Sequence, residues 1–274
     1  MDLITVDKNL CRKDGVCSLV CVSRIIEPAE EDTLPRVDDR NAEYCIACGH
    51  CVAACPTGAL DHRLTPKSDC FPWPKEVHFN PDDVETLLRS RRSIRNFRKK
   101  AVPRDIIERL LDAARYAPTG ANLQNCRYIV CDDPQKLQVF SSMIIDNMRA
   151  QLTADQSDEM ADRTARLIDA WDQGLDPILR HAPAVIVAHF NSVLSDSPIN
   201  CTLALSFVDV MAHALGLGTC FCGYFAGGIN SSSALKNAIG LPEGHTVAAT
   251  LLLGYPRITY QRIPPRNPAK FKYV

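Results

Sequence analysis

Cys45-Ile46-Ala47-Cys48-Gly49-His50-Cys51-Val52-Ala53-Ala54-Cys55-Pro56 decides how the amino-terminal part of the chain folds. The spacing is C-x2-C-x2-C-x3-C-P, a run whose thiolates hold an iron–sulfur cluster. Three thiolates so placed wrap one face of a cuboidal cluster, and backbone amides of the tight loop point at its sulfurs. Gly49 relieves crowding where the backbone passes close. Pro56 ends the loop and turns the fourth cysteine elsewhere. Zinc wants four ligands, commonly as two separated pairs, and this run is packed too tightly for that. His50, between ligands, reads as a solvated loop residue.

Upstream, Cys11-Arg12-Lys13-Asp14-Gly15-Val16-Cys17-Ser18-Leu19-Val20-Cys21 repeats the frame, with Asp14 in place of the second cysteine and Val22 in place of the proline. Over about residues 1–65 the chain resembles the two-cluster bacterial ferredoxins, in which the fourth cysteine of each run serves the other cluster. The resemblance implies that Cys21, Cys45, Cys48 and Cys51 hold one 4Fe–4S cluster. Cys11, Cys17 and Cys55 would hold a second, with Asp14 as the candidate fourth ligand. Two readings of Asp14 stand. It is a hard oxygen ligand that makes its iron labile, or Asp14-Gly15 is a turn pair with a solvated carboxylate. In the second case the cluster is 3Fe–4S, or 4Fe–4S with water on the open iron.

Composition sets the surroundings. The 274 residues suit one sizeable core plus a smaller module, and the net charge of −1 offers no field to recruit nucleic acid or an anionic membrane. No apolar run is long enough to span a bilayer. The first residues lack a basic segment followed by an apolar stretch, so no signal peptide and a cytoplasmic location are expected. There, seven of the thirteen cysteines falling between Cys11 and Cys55 point to metal rather than disulfides.

Residues 65–79 carry three prolines and no periodicity, which marks a linker, taken as residues 66–80. Cys70 lies in it without a partner run. Asn80-Pro81-Asp82-Asp83 then opens a helix, with a cap, a proline in the first turn and two acids. The second domain is expected over 81–274. Helical periodicity follows around Val84, Leu87 and Leu88 and again over Ile106 to Ala114. Residues 128–131, 184–190 and 247–253 read as strands, 134–173 as polar helix, and 203–215 as an apolar helix closed by Gly216 and Gly218. Mixed elements of this kind indicate an α/β or α+β domain.

Three segments of the second domain carry chemistry. Residues 89–100 place seven positive charges within twelve positions; this is a solvated helix end or a site where arginine forks meet a phosphate. Residues 117–125, Ala-Pro-Thr-Gly-Ala-Asn-Leu-Gln-Asn, are a helix stop whose amides offer both donors and acceptors. Residues 216–224, Gly-Leu-Gly-Thr-Cys-Phe-Cys-Gly-Tyr, are a cap with buried cysteines or a backbone relaxed enough to approach a flat ring. Taken together and in this order, they resemble the nitroreductase family of FMN enzymes over roughly residues 82–274.

That resemblance implies an α+β fold, a mixed sheet flanked by helices, built as an intertwined homodimer with FMN at the interface. It places Arg91, Arg92 and Ser93 at the phosphate and ribityl region and Arg95 near the N1/C2 side of the ring. Asn122 and Gln124 would reach the ring or ribityl, and the backbone amides of Cys222 and Gly223 would lie near N5 or O4. Either Arg262 or Arg266, in the basic-proline segment 261–268, would meet the FMN phosphate. Cys220 and Cys222 are either redox-active or small buried hydrophobes. The expected enzyme passes single electrons from its clusters to FMN, which reduces a small organic acceptor such as a nitroaromatic, quinone, activated alkene or free flavin. The helical stretch with Trp171 would line or cover the pocket. The electron donor is ferredoxin or NAD(P)H, and no catalytic acid or base declares itself. A carrier serving a protein partner and a redox or iron sensor are the rival classes.

Overall fold

The computed structural model describes residues 2–152, 158–193 and 197–274. The chain divides into two compact units, Met1–His78 with Ala121–Leu123, and Phe79–Gly120 with Gln124–Val274.

The first unit contains β1 (Ile4–Val6), α1 (Val16–Leu19), β2 (Ile26–Glu27), β3 (Arg36–Val37), α2 (His50–Ala53) and β4 (Leu60–His62). β1 pairs antiparallel with β4, setting Ile4 opposite His62 and Val6 opposite Leu60, and β2 pairs antiparallel with β3. Leu3, Ile4, Ile25, Ile26, Val52 and Leu60 are buried between the ladders and the two short helices. This core is small, and domains with so little apolar burial are usually stapled by metal or disulfides.

The two cysteine runs trace the same backbone. Gly15 and Gly49 are left-handed, at φ 73° and 70°, and each caps a four-residue helix. Lys13 and Ala47, two residues earlier, are also left-handed, as are Arg24 and Gly58 three residues beyond the last cysteine. The hydrogen bonds match as well. Leu19 N–H donates to Gly15 O at 3.0 Å and Ala53 N–H to Gly49 O at 2.9 Å, while Cys21 and Cys55 donate to Ser18 and Val52, both at 3.3 Å. Alternating right- and left-handed residues turn successive amides toward one concavity, the geometry that cradles anions and iron–sulfur clusters.

The second unit contains α3 (Pro81–Ser90), α4 (Arg104–Ala114), β5 (Arg127–Cys131), α5 (Pro134–Gln151), α6 (Asp158–Asp172), β6 (Ala184–Asn191), α7 (Ser197–Ala214), β7 (Gly218–Phe221), α8 (Gly223–Ser231), α9 (Ser233–Ile239) and β8 (His245–Gly254). The sheet order is β5-β6-β8-β7, with every named pair antiparallel. The parallel element is an isolated bridge between Ser93 and Thr219. Seven consecutive residues of β6 are buried, so both faces of the sheet are covered. Ala184, Ile186 and Ala188 face a layer with Leu110, Leu205 and Val208 from α4 and α7. Val185 and Val187 face a layer with Ile144, Phe225, Ile229 and Leu235 from α5, α8 and α9. A strand covered on both sides places apolar side chains on both faces, which is why Ala184–Ala188 show no alternation; the buried His189 is instead paired with His245 at 2.9 Å.

α3 begins as read, with the Asn80 side chain accepting from Asp82 N–H at 3.1 Å. The polar stretch 134–173 forms α5 and α6; its residues 153–157 lie outside the described residues. Trp171 is partly buried against the sheet layer. The apolar helix read over 203–215 starts earlier, at Ser197. The linker includes a single 3-10 turn at Lys67–Asp69, and Cys70 is exposed. Among the described residues, no helix is long and apolar enough to cross a membrane.

Candidate functional site

In the first unit the ligand-type side chains gather around two separate cavities. Cys21, Cys45, Cys48 and Cys51 line one, together with Gly49 and His62. Cys11, Asp14, Cys17 and Cys55 line the other, with Gly15 and Thr57. Each cavity thus takes one side chain from the end of the opposite run. Four soft thiolates suit iron in a sulfide cluster, and the three-thiolate, one-carboxylate set suits the same chemistry with one harder corner. Both readings of Asp14 find support in its geometry. One carboxylate oxygen accepts from Val16 N–H at 3.1 Å, closing the turn, while the residue borders the cavity. His50 lies in α2 and is exposed.

The thiols are held in contrasting surroundings. Burial pushes Cys51 up to about 11, and the neighbouring Cys48 and Cys45 add to the rise. Burial also raises Cys17. At Cys55 burial opposes ionisation too, but hydrogen bonds from the amides of Leu60 and Ala59 and from Thr57 outweigh it and hold the thiol below its ordinary value. Metal coordination overrides such differences, because a bound thiol is deprotonated.

His62 completes the first cavity. It is buried, and burial lowers its imidazole below the ordinary value. Its Nδ1 accepts the amides of Leu64 at 3.1 Å and Thr65 at 3.2 Å, and its Nε2 lies 3.4 Å from Cys45 Sγ. Asn122, one of the three residues that join this unit from later in the chain, donates its amide to the carbonyls of Ile46 at 3.0 Å and Ala47 at 2.9 Å. Its amide nitrogen therefore braces the cysteine loop.

The second unit contains a cleft of about 450 Å³ lined by Arg91, Arg92, Arg262, Gln261, His213 and Thr219, among others. Three arginines around one concavity fit a phosphorylated ligand, because guanidinium forks bind phosphate bidentately. Arg92 Nε is buried and, among the described residues, has no hydrogen-bond partner. A buried orphan donor is costly, about 1–3 kcal/mol, and an anion in the cleft would relieve it. Arg91 Nε lies 3.4 Å from a carboxylate oxygen of Asp209, which is buried and also receives the Thr219 hydroxyl. Ser90 and His213 share a 2.8 Å hydrogen bond at the same wall.

The other sequence-derived positions fall as follows. Ser93 bridges to Thr219, and Ile94 N–H donates to Thr219 O at 2.7 Å. Gly218 permits this approach, since a Cβ there would lie 2.5 Å from Ile94. Arg95 is exposed and turns back on the Ser93 carbonyl at 3.4 Å. Gln124 is exposed, left-handed at φ 46°, and donates its amide to Thr119. The Cys222 amide is spent on Thr250 O at 3.0 Å, and burial pushes its thiol up to about 11. Gly223 opens α8, which has no side-chain cap. Arg266 is exposed in the carboxy-terminal segment and does not line the cleft; nor does Trp171.

Asp209 and Asn200 carried no motif. Asp209 is the sole acid of α7 and is buried, a signal that a partner cation was waiting. The Asn125–Asn200 amide pair, which also ties Gly120 and Ser197, joins positions far apart in sequence.

Comparison with known proteins agrees with this architecture. The nitroreductase family matches residues 88–255, and a 4Fe-4S binding domain matches residues 39–61. The chain therefore belongs to the nitroreductase family of oxidoreductases and carries an amino-terminal 4Fe-4S binding domain. An Archaeoglobus fulgidus protein, provisionally named NADH dehydrogenase/NAD(P)H nitroreductase, is 26% identical over 176 residues, covering 62% of this chain and 84% of its own. The polyferredoxin MvhB of Methanothermobacter marburgensis is 34% identical over 83 residues, 29% of this chain and 18% of its own. A nitroreductase from Desulfitobacterium hafniense, solved with bound FMN, shares the fold at a TM-score of 0.58 and 23% identity, covering 72% of this chain and all of that one.

Proposed function

We propose that the protein is an FMN-dependent oxidoreductase whose two iron–sulfur clusters feed electrons singly to FMN for reduction of a small organic acceptor. The observation that carries this reading is the pairing of eight ligand-type side chains around two cavities with an arginine-lined cleft holding a buried guanidinium nitrogen that has no hydrogen-bond partner among the described residues. When bound, FMN would supply a carrier that takes electrons one at a time and delivers them in pairs.

The chain's own residues would bind and orient. Arg92 and Arg262 would clamp the phosphate, and Arg91 would join them with Asp209 fixing its direction. Ser93 would sit at the ribityl, Arg95 at the ring edge, and the Gly223 amide at the uncapped start of α8 would donate to the ring. Residues 1–65 would act as the two-cluster module and 81–274 as the flavin domain. A homodimer is supported by α7, where Ile199, Leu203 and Phe207 leave an apolar stripe exposed. Candidate acceptors are those of the sequence reading, and the donor is ferredoxin or NAD(P)H.

Anaerobic purification with iron, sulfide and FMN counts tests the reading. About eight irons and one FMN per chain are expected for two 4Fe–4S clusters and one flavin, or about seven irons if the Asp14 site holds 3Fe–4S. Arg92→Ala should weaken FMN ten- to a hundredfold, as expected for losing a charge-assisted contact of about 1.5–3 kcal/mol. Purified protein that neither contains nor takes up FMN would overturn the flavin half of the proposal, and fewer than about six irons would overturn the two-cluster half.

A further inference from the structure

We infer that His62 is a positioning residue that raises the reduction potential of the cluster bound at Cys45 by donating its Nε2–H to the Cys45 sulfur. The inference rests on the cluster reading above. Its basis is a tautomer fixed by surroundings. Backbone amides can only donate, and two of them, from Leu64 at 3.1 Å and Thr65 at 3.2 Å, converge on His62 Nδ1. The Thr65 hydroxyl lies 3.1 Å from the same nitrogen. Nδ1 is thus a bare acceptor, and a neutral imidazole then carries its hydrogen on Nε2. That hydrogen lies on the atom 3.4 Å from Cys45 Sγ.

The ring has little room to turn away. His62 is 4% exposed and is held at the end of β4, where it pairs with Ile4 of β1. The sulfur already accepts the Ala47 amide at 3.4 Å, so the imidazole adds a side-chain donor to a backbone one. One-electron reduction adds a negative charge shared by the cluster and its thiolates. A donor aimed at a ligand sulfur favours the reduced form, and hydrogen bonds to the sulfurs are among the determinants of cluster potential.

The device is one-sided. The matching position after β2 is Pro28, which has no side-chain donor, and the cavity there bears Asp14 instead. The hydrogen bond from His62 therefore acts on the Cys45 cluster alone.

The test uses the full chain, anaerobically purified, with iron and sulfide counted before each redox titration. In His62→Leu protein, which has no donor, the Cys45 cluster should show about a tenfold higher oxidised-to-reduced ratio at a fixed potential near its midpoint. That is a fall of about 59 mV for a one-electron couple. His62→Gln, whose amide can donate to the same sulfur, should keep a midpoint closer to wild type. The second wave should not move. An unchanged midpoint in His62→Leu protein with full iron content would overturn the inference, whereas wild-type protein without clusters would overturn the cluster reading itself. Should both variants lose the cluster, pulsed electron paramagnetic resonance of reduced 15N-histidine-labelled protein in a His50→Asn background decides. A coupled imidazole nitrogen of hydrogen-bond strength supports the contact; no coupling, or one as large as direct iron ligation, overturns it.

Discussion

The two cysteine runs share a path and differ in chemistry. Both place left-handed residues before and at the glycine, both continue into one turn of helix, and both send their last cysteine to the other cavity. Yet one run offers Cys48 where the other offers Asp14, and only one has a histidine behind its first thiolate. The backbone cradle is therefore independent of what fills the second ligand position. Gly15 and Gly49 shape it, and the ligand side chain then sets the character of the metal site.

The largest effect that could break this comparison comes from the crossed cysteines. Cys48→Ser and Cys21→Ser should each remove the same cluster, with about four irons lost per chain, and Cys17→Ser the other, with about three or four lost. Iron counts and paramagnetic spectra check this. If Cys21→Ser removes the same species as Cys17→Ser, the runs are self-contained and the crossing is wrong. Next in size, Asp14→Cys should give two clusters of equal resistance to a chelator, while Asp14→Ala should expose a 3Fe signal in the oxidised protein if the carboxylate holds iron. Identical spectra before and after Asp14→Ala would leave the residue as a turn former.

Smaller effects sharpen the comparison. Gly15→Ala and Gly49→Ala should each cost about 1 kcal/mol, because a Cβ strains a left-handed backbone. The two costs should match, since neither site has a neighbour closer than 3.6 Å to the added atom. Denaturant titration of the holoprotein measures both, and a clear inequality would show that the two paths are not equivalent. Last, Asn122→Ala removes two donors from the Ile46 and Ala47 carbonyls, and a net loss near 1 kcal/mol should speed chelator attack on the Cys45 cluster about fivefold. The cluster at Cys11 should be unaffected. FMN content measured on the same sample separates this role from a flavin contact: loss of FMN with an unchanged cluster lifetime would favour the latter.

Much of the fold was legible where signals are local. A capping asparagine, a proline and two acids announced α3, and the small and branched apolar residues Ala184–Ala188 announced a strand. β7 was missed, being four residues long and begun by a glycine, with no periodicity to read. The start of α7 was missed because its first turns carry Ser, Pro, Asn and Cys rather than a run of strong helix formers. In the site, the arginine cluster was evident as charge, but Arg91's dependence on Asp209 was not. Nor was the distinction between Arg262, which lines the cleft, and Arg266, which does not.

By itself the sequence determined the candidate cluster ligands, the glycines of both cradles and the family of the second domain. Those properties follow from spacing along the chain, since ligand reach and backbone handedness act over a few residues. Only the tertiary structure decided that His62 faces Cys45, that Asn122 braces the cysteine loop and that an arginine nitrogen is buried without a hydrogen-bond partner among the described residues. Each depends on strand pairing or chain return across many residues. Burial and hydrogen-bond direction exist only once those distant segments have met.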